Sequence, residues 1–211
     1  MTEYPDGNLE FLAMIQKGEF NEQRAKVLLA ETDLNLPINN PLDGYSYSTT
    51  YLFEAVAANN LPAVSFLLEN GADPNLNNPE LIRDCALWQL QYLDDGQDWE
   101  TRYEIAKLFF AHGANPNMIV DGETLYDYIR FKVYNDPPYD KNDWENLRQL
   151  YKLIVIYGGG GKALGRERPE LKEEIDLNKI DEYTVRLYLC EDGYHIMGVL
   201  LDGDENEVGL L

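Results

Sequence analysis

The sequence predicts a mainly α chain: an α-solenoid of about four helix-pair repeats, followed by a small C-terminal antiparallel β-hairpin or meander. Three observations carry that prediction. Residues 51–75, YLFEAVAANNLPAVSFLLENGADPN, hold two short apolar-striped segments, a tight break and a Gly-Ala-Asp-Pro-Asn stop. Residues 104–117, EIAKLFFAHGANPN, repeat the second half of that unit with the same internal spacing. From residue 183 the apolar period changes to two, in YTVRLYLC and YHIMGVLL. A helix pair this short cannot bury its apolar stripe alone, so its recurrence implies stacked units with a shared core.

Residues 9–35 form the first, degenerate unit. Asn8 caps a helix carrying Leu9, Leu12, Ala13 and Ile15, and Gly18 breaks it. Asn21 caps a second helix that buries Ala25, Val27, Leu28 and Leu29. Thr32-Asp33-Leu34-Asn35 stands where later copies have their stop. Residues 36–49, LPINNPLDGYSYST, read as a hairpin-like excursion with Asp43-Gly44 at a turn. Tyr45 and Tyr47 alternate there with serines, which puts both rings on one face.

Thr50 caps the first helix of the sharp copy, with Leu52, Ala55 and Val56 inward. Leu61, Val64, Leu67 and Leu68 stripe its second helix, and Gly71 supplies the left-handed residue that ends it. In the third unit, residues 78–117, Ile105, Leu108, Phe109 and Phe110 take the places of Ala63, Phe66, Leu67 and Leu68. Its first helix is expected near residues 80–93, with an insertion at 92–100. The fourth unit opens on Asp121-Gly122-Glu123-Thr124. It continues as a helix over 125–134, and a capping box of Asn142 with Glu145 starts the last helix. Gly158–Gly161 breaks it. Residues 162–180 hold five basic and five acidic residues and read as a linker with a short helix.

The segment from Thr50 to Asn75 resembles the ankyrin repeat. Thr50, Leu52, Ala55, Val64, Leu67, Leu68, Gly71, Ala72, Asp73 and Asn75 match its usual form. Tyr51, Phe53, Asn59 and Asn60 depart from it. Losing the usual Pro and His weakens the cap network and points to a divergent member; the form it resembles is a bacterial-type one with insertions. Gly71 and Gly113 lie 42 residues apart, against a family period of ~33. The resemblance covers residues 8–160. It implies a non-catalytic module that binds other proteins through its hairpin tips and inner-helix face. On this chain those positions include Asp43, Tyr45, Tyr47 and Thr49, then Ala57 and Ala58, Asn78 and Glu80, and finally Asp121 and Glu123.

Charge narrows the partner. Lys+Arg is 17 against Asp+Glu 38, a formal −21. That disfavours nucleic acid and anionic membrane, which need a positive footprint, and favours steered encounter with a basic or mixed protein surface. Fifteen tyrosines and three tryptophans supply anchors of the kind interfaces use. Tyr45, Tyr47, Trp88, Tyr92, Trp99 and Tyr126 fall near hairpin tips or insertions. Cys85 and Cys190 lack metal spacing and read as reduced and structural. No stretch approaches the ~18 apolar residues of a membrane span, and the N-terminus lacks a basic leader, so a cytoplasmic location is expected.

Three motifs invite chemistry and lack its parts. The run from Gly158 to Lys162 has Ile156 where a phosphate loop needs glycine and Ala163 where it needs a hydroxyl. Asp202-x-Asp204-x-Asn206 begins like a calcium loop but has no sixth-position glycine or twelfth-position glutamate. His112 and His195 have no nucleophile beside them in sequence. No enzyme activity, cofactor, metal or small-molecule substrate is therefore expected. The expected domains are a repeat domain at 1–161, a charged linker at 162–180 and an acidic β appendage at 181–211 docked on the last repeat. Two further roles suit the same features. One is an immunity or inhibitor protein that blocks a basic toxin or nuclease. The other is an assembly protein self-associating through the C-terminal strands.

Overall fold

A computed structural model describes residues 6–30, 32–40, 47–77, 85–92, 98–120, 122–134, 141–159, 170–171, 176–189 and 196–210. The chain is mainly helical with small antiparallel sheets. It divides into two compact units, Met1–Ala114 and Asn115–Leu211.

The first unit opens with helices α1 (Asp6–Gln16) and α2 (Glu22–Leu28). Asn8 lies inside α1 and is not its cap; the acidic Asp6, with Pro5 before it in sequence, is the stronger start signal. Gly18 follows α1 at φ +68°, a left-handed backbone that glycine takes without strain. Asn21 caps α2, accepting from the Arg24 amide at 2.9 Å. The inward residues are Phe11, Leu12 and Ile15, with Ala25 from α2. Leu9 and Val27 are exposed, Val27 at 66 %, contrary to expectation. A short first pair covers one neighbour, and α2 turns a single residue fully inward.

Strands β1 (Ile38–Asn40) and β2 (Tyr47–Thr49) form the expected antiparallel hairpin. Helices α3 (Tyr51–Ala57) and α4 (Leu61–Glu69) follow. α3 is buried from Tyr51 to Val56 and packs on both α1 and α4. Even Glu54 is buried, and Gln16 Nε2 donates to its Oε2 at 2.8 Å. Tyr51 and Phe53, where the family pattern has Pro and His, are both core residues. The Tyr51 ring meets Phe11 edge-on at 4.9 Å. Phe20 extends the cluster to Phe66 at 5.5 Å. Full burial of one such side chain contributes about 1.5–3 kcal/mol. The cap survives these changes: Thr50 Oγ1 accepts from the Phe53 amide at 3.1 Å.

The expected helix near 80–93 is, where described, a single 3-10 turn at Trp88–Gln91. Leu87 and Leu90 are buried at a three-residue spacing, which that tighter turn satisfies. Helix α5 (Trp99–Ala111) starts earlier than its apolar stripe suggests. Asp98 caps it, accepting from the Thr101 amide at 2.8 Å, so Trp99 and Glu100 belong to the helix and not to an insertion.

The second unit begins with the hairpin β3 (Ile119–Val120) and β4 (Glu123–Thr124), then α6 (Leu125–Tyr134) and α7 (Lys141–Ile156). α6 has the expected bounds. Its cap is reciprocal: Thr124 Oγ1 donates to Asp127 Oδ2 at 2.9 Å and accepts from the Asp127 amide at 3.0 Å. α7 starts at Lys141, so Asn142 lies within it and is not its cap; Asp140 precedes it in sequence with equal capping chemistry. From Leu150 to Ile156 every residue of α7 is buried. α6 packs on α7, and α7 also meets the sheet at strand β6. The sheet holds β5 (Glu170–Leu171), β6 (Thr184–Leu189), β7 (Ile196–Leu201) and β8 (Glu207–Leu210), in the order β5-β8-β7-β6. β6, β7 and β8 are the expected meander. β5 comes from the segment read as linker, which also carries a 3-10 helix at Leu177–Glu182.

One turn recurs in the same hydrogen bonds. Gly71, Gly113 and Gly158 follow α4, α5 and α7 at φ +93°, +85° and +85°. Each amide returns to the helix, to Leu68 O, Phe110 O and Val155 O. The next residue, Ala72, Ala114 or Gly159, bonds five residues back, to Leu67 O, Phe109 O and Ile154 O. These are Schellman-type stops that satisfy the helices' last carbonyls. The glycine run after α7 therefore ends a helix in the same way as the two sharper copies.

Candidate interaction surface

Asparagines tie each turn to the next. Asn35 Nδ2 donates to Gly71 O at 3.2 Å, Asn75 to Gly113 O at 2.9 Å and Asn117 to Gly158 O at 2.9 Å. Each has its own amide held by the residue two before it, Asp33, Asp73 or Asn115, at 2.8–3.0 Å. Thus Thr32-Asp33-Leu34-Asn35, which has lost its glycine, keeps the part that links to a neighbour. The departing Asn59 and Asn60 work likewise. Asn59 takes the left-handed backbone at φ +53°, and its Nδ2 donates to Asp98 O at 2.9 Å. Asn60 caps α4 through the Ala63 amide at 3.2 Å, and its Nδ2 donates to Ile15 O at 2.9 Å.

On this scaffold the expected binding residues separate. Glu123 is exposed on β4, opposite Val120 on β3, and Ile119 on β3 is exposed too. Ala57 and Ala58 are half-buried at the end of α3, and Trp88 is half-buried in the 3-10 turn. Tyr47 belongs to β2. Thr49, the last residue of β2, is fully buried and so offers nothing to a partner. Asp43, Tyr45, Asn78, Glu80 and Asp121 lie outside the described residues. Of the other aromatics, Tyr92 is exposed, Trp99 half-buried and Tyr126 buried. Tyr126 is core because Thr124 turns the chain into α6 one residue after the hairpin. Its hydroxyl lies 3.3 Å from that of Tyr151. His112 is exposed, with Nδ1 2.9 Å from Leu108 O. Cys85 is a buried thiol, while His195 and Cys190 lie outside the described residues.

An acidic groove was not anticipated as a set. It is an open hollow of about 570 Å³ in the second unit. Asp176, Glu182, Asp202 and Asp204 line it, with Lys179 and the ring of Tyr183. Two of its acids, Asp202 and Asp176, are held in place. Asp202 accepts from Asn206 Nδ2 at 3.0 Å and from the amides of Asn206 and Asp204 at 2.7 and 3.0 Å. These bonds, the Asn206 side chain first, hold its carboxyl below the usual range, so it is charged at neutral pH. Asp176 accepts from the Asn178 amide, and its own amide donates to the Tyr183 hydroxyl at 3.1 Å. The turn at 202–206 is therefore closed by its own asparagine. Among the described residues no cluster of ligands suits a metal ion. The signal in the sequence was the acid excess from Asp181 onward, eight acids to one base.

The repeated helix stop, the Thr50 cap and the hairpin before it meet in one stretch. Residues 49–79 match the family model of the ankyrin repeat. The chain carries an ankyrin repeat. Ankyrin repeats generally mediate protein–protein interaction and act without catalysis of their own. The comparison with curated proteins gives no match. Among the described residues no helix is long and apolar enough to cross a membrane.

Proposed function

We propose that the chain is a non-enzymatic interaction module, an α-solenoid of about four ankyrin repeats over residues 1–161 with an acidic β appendage at 181–211. It binds a basic or mixed protein surface through its hairpin tips and inner-helix face. Asp43, Tyr45, Tyr47, Ala57, Ala58, Asn78, Glu80, Trp88, Asp121 and Glu123 contribute contacts. The observation that carries this reading is the ankyrin-repeat match, together with the same stop recurring at Gly71, Gly113 and Gly158. A net charge of −21 adds the character of the partner. Acting in the cytoplasm, such a module requires neither cofactor nor substrate.

The acidic groove favours one sharper version, an inhibitor or immunity protein that presents carboxylates to a basic toxin or nuclease. Self-assembly through the C-terminal strands is the weaker reading, since two copies at −21 each repel. Affinity capture from source lysate, followed by cross-linking mass spectrometry, tests the proposal. Cross-links from one basic protein to the β3–β4 hairpin and the end of α3 are expected. A captured complex whose cross-links avoid every one of these positions would overturn the assignment of the surface.

A further inference from the structure

Strand β6 ends the sheet order, so among the described residues one of its two edges faces no strand. In an antiparallel ladder successive residues direct their N–H and C=O alternately toward and away from the partner strand. The direction on β6 is fixed by α7: an Arg148 guanidinium nitrogen donates to the Val185 carbonyl. Val185 therefore points its backbone away from β7, and so do Leu187 and Leu189, two and four residues on. Among the described residues, the Arg148 bond is the one hydrogen bond on that outer side. An edge of this length is a template for another strand unless it is blocked, and among the described residues Arg148 blocks only its first position. The opposite edge is β5, of which Glu170 and Leu171 are described.

The acidic groove lies at the start of the same strand. The ladder begins with Thr184 opposite Leu201, and the groove takes Glu182 and Tyr183 from one side of that pair and Asp202 and Asp204 from the other. Two cations are near. Lys179 lines the groove, and Arg186 is within 3.3 Å of Glu205. Acids outnumber them.

We infer that the open edge of β6 accepts an extended, lysine- or arginine-rich segment of a partner protein as an added strand. Leu187 and Leu189 supply the backbone hydrogen bonds, and the groove takes a basic side chain at the Thr184 end. A second copy of this chain is the disfavoured occupant, because it would bring the same acids to the same edge. The inference rests on the reading of the chain as a protein-binding module and names a second, separate contact for it.

The test is an amide NMR titration of the full-length chain with a short peptide of alternating lysine and valine. A fully backbone N-methylated peptide of the same sequence is the control. The plain peptide is expected to shift the Val185, Leu187 and Leu189 amides and to slow exchange at Leu187 and Leu189 by about tenfold or more. The N-methylated peptide keeps every charge, has no backbone N–H donors, and should bind at least about tenfold more weakly. Equal binding of the two would reduce the effect to charge attraction and overturn the inference. So would an absence of binding, or shifts that spare β6. Partner capture by the β3–β4 hairpin surface would be untouched by either result, so failure here is separable from failure of the interaction module itself.

Discussion

Single residues decide where the helices stop. Gly71 and Gly159 test two different reasons for glycine. At Gly71 a Cβ meets open space, but φ is +93°. Gly71→Ala therefore costs backbone strain alone, about 1–3 kcal/mol. At Gly159 a Cβ would lie 2.4 Å from Ile154 Cγ2 and 2.7 Å from its carbonyl oxygen, so the turn must open. Gly159→Ala is expected to lower the denaturation midpoint at least as much, and to weaken amide protection across the end of α7. Chemical denaturation of the two variants beside wild type checks the order. Burial also sets titration. Desolvation pushes the Tyr51 hydroxyl up to about 12. A group whose folded pKa is raised contributes stability below its unfolded value, near 10, and loses it as pH rises through the folded value. Alkaline difference spectra should therefore show phenol ionisation coinciding with unfolding between about pH 10 and 12. Tyr51→Phe should remove part of that loss. Asp98 carries the opposite sign. Its bonds to Thr101 hold the carboxyl below its usual range, so its contribution is present above that range and fades as pH falls through the folded value. Asp98→Asn should flatten the acid limb of a melting-temperature profile.

Elements were legible where one chemical requirement dominates. α6 and the three glycine stops were readable because a hairpin tip, a Thr cap and a positive φ each admit few residues. Starts of helices were less so. At α1 and α7 an Asn competed with a neighbouring acid for the cap, and the structure begins both helices before the Asn. The turn at Trp88–Gln91 shares its apolar spacing with a helix over so few residues, and sequence period alone does not separate them. β5 was illegible because it lies in a charge-dense stretch with no apolar period. The exposure of the expected binding residues was unevenly legible for the same reason. Glu123 reads directly from its hairpin, whereas the burial of Thr49 and Tyr126 depends on partners distant in sequence. Asn60 joins both levels, as cap of α4 and as tether to the Ile15 carbonyl. Asn60→Ala removes the cap and leaves buried groups unpaired, so a loss of about 2–4 kcal/mol is expected in urea titrations. Asn60→Asp keeps the cap and loses the tether, and should fall between that variant and wild type.

At the scale of the molecule, acidity and repetition do separate things. In the proposed module, helix pairs tied from asparagine to glycine provide places for side chains, and the charge of −21 selects what approaches them. Their separation predicts a division of effects. Changes at the turns should alter stability with little effect on partner association per folded molecule. Changes at exposed acids should do the reverse. Glu123→Lys is thus expected to leave the melting temperature within a degree or two and to slow association several-fold. Surface plasmon resonance beside a thermal melt reads both. The most direct measurement is the association rate of the full-length chain with its captured partner as ionic strength rises. Steering by the acidic surface predicts a rate that falls about tenfold or more from low to physiological salt, with the dissociation rate changing much less. An association rate unchanged over that range would contradict recognition by charge.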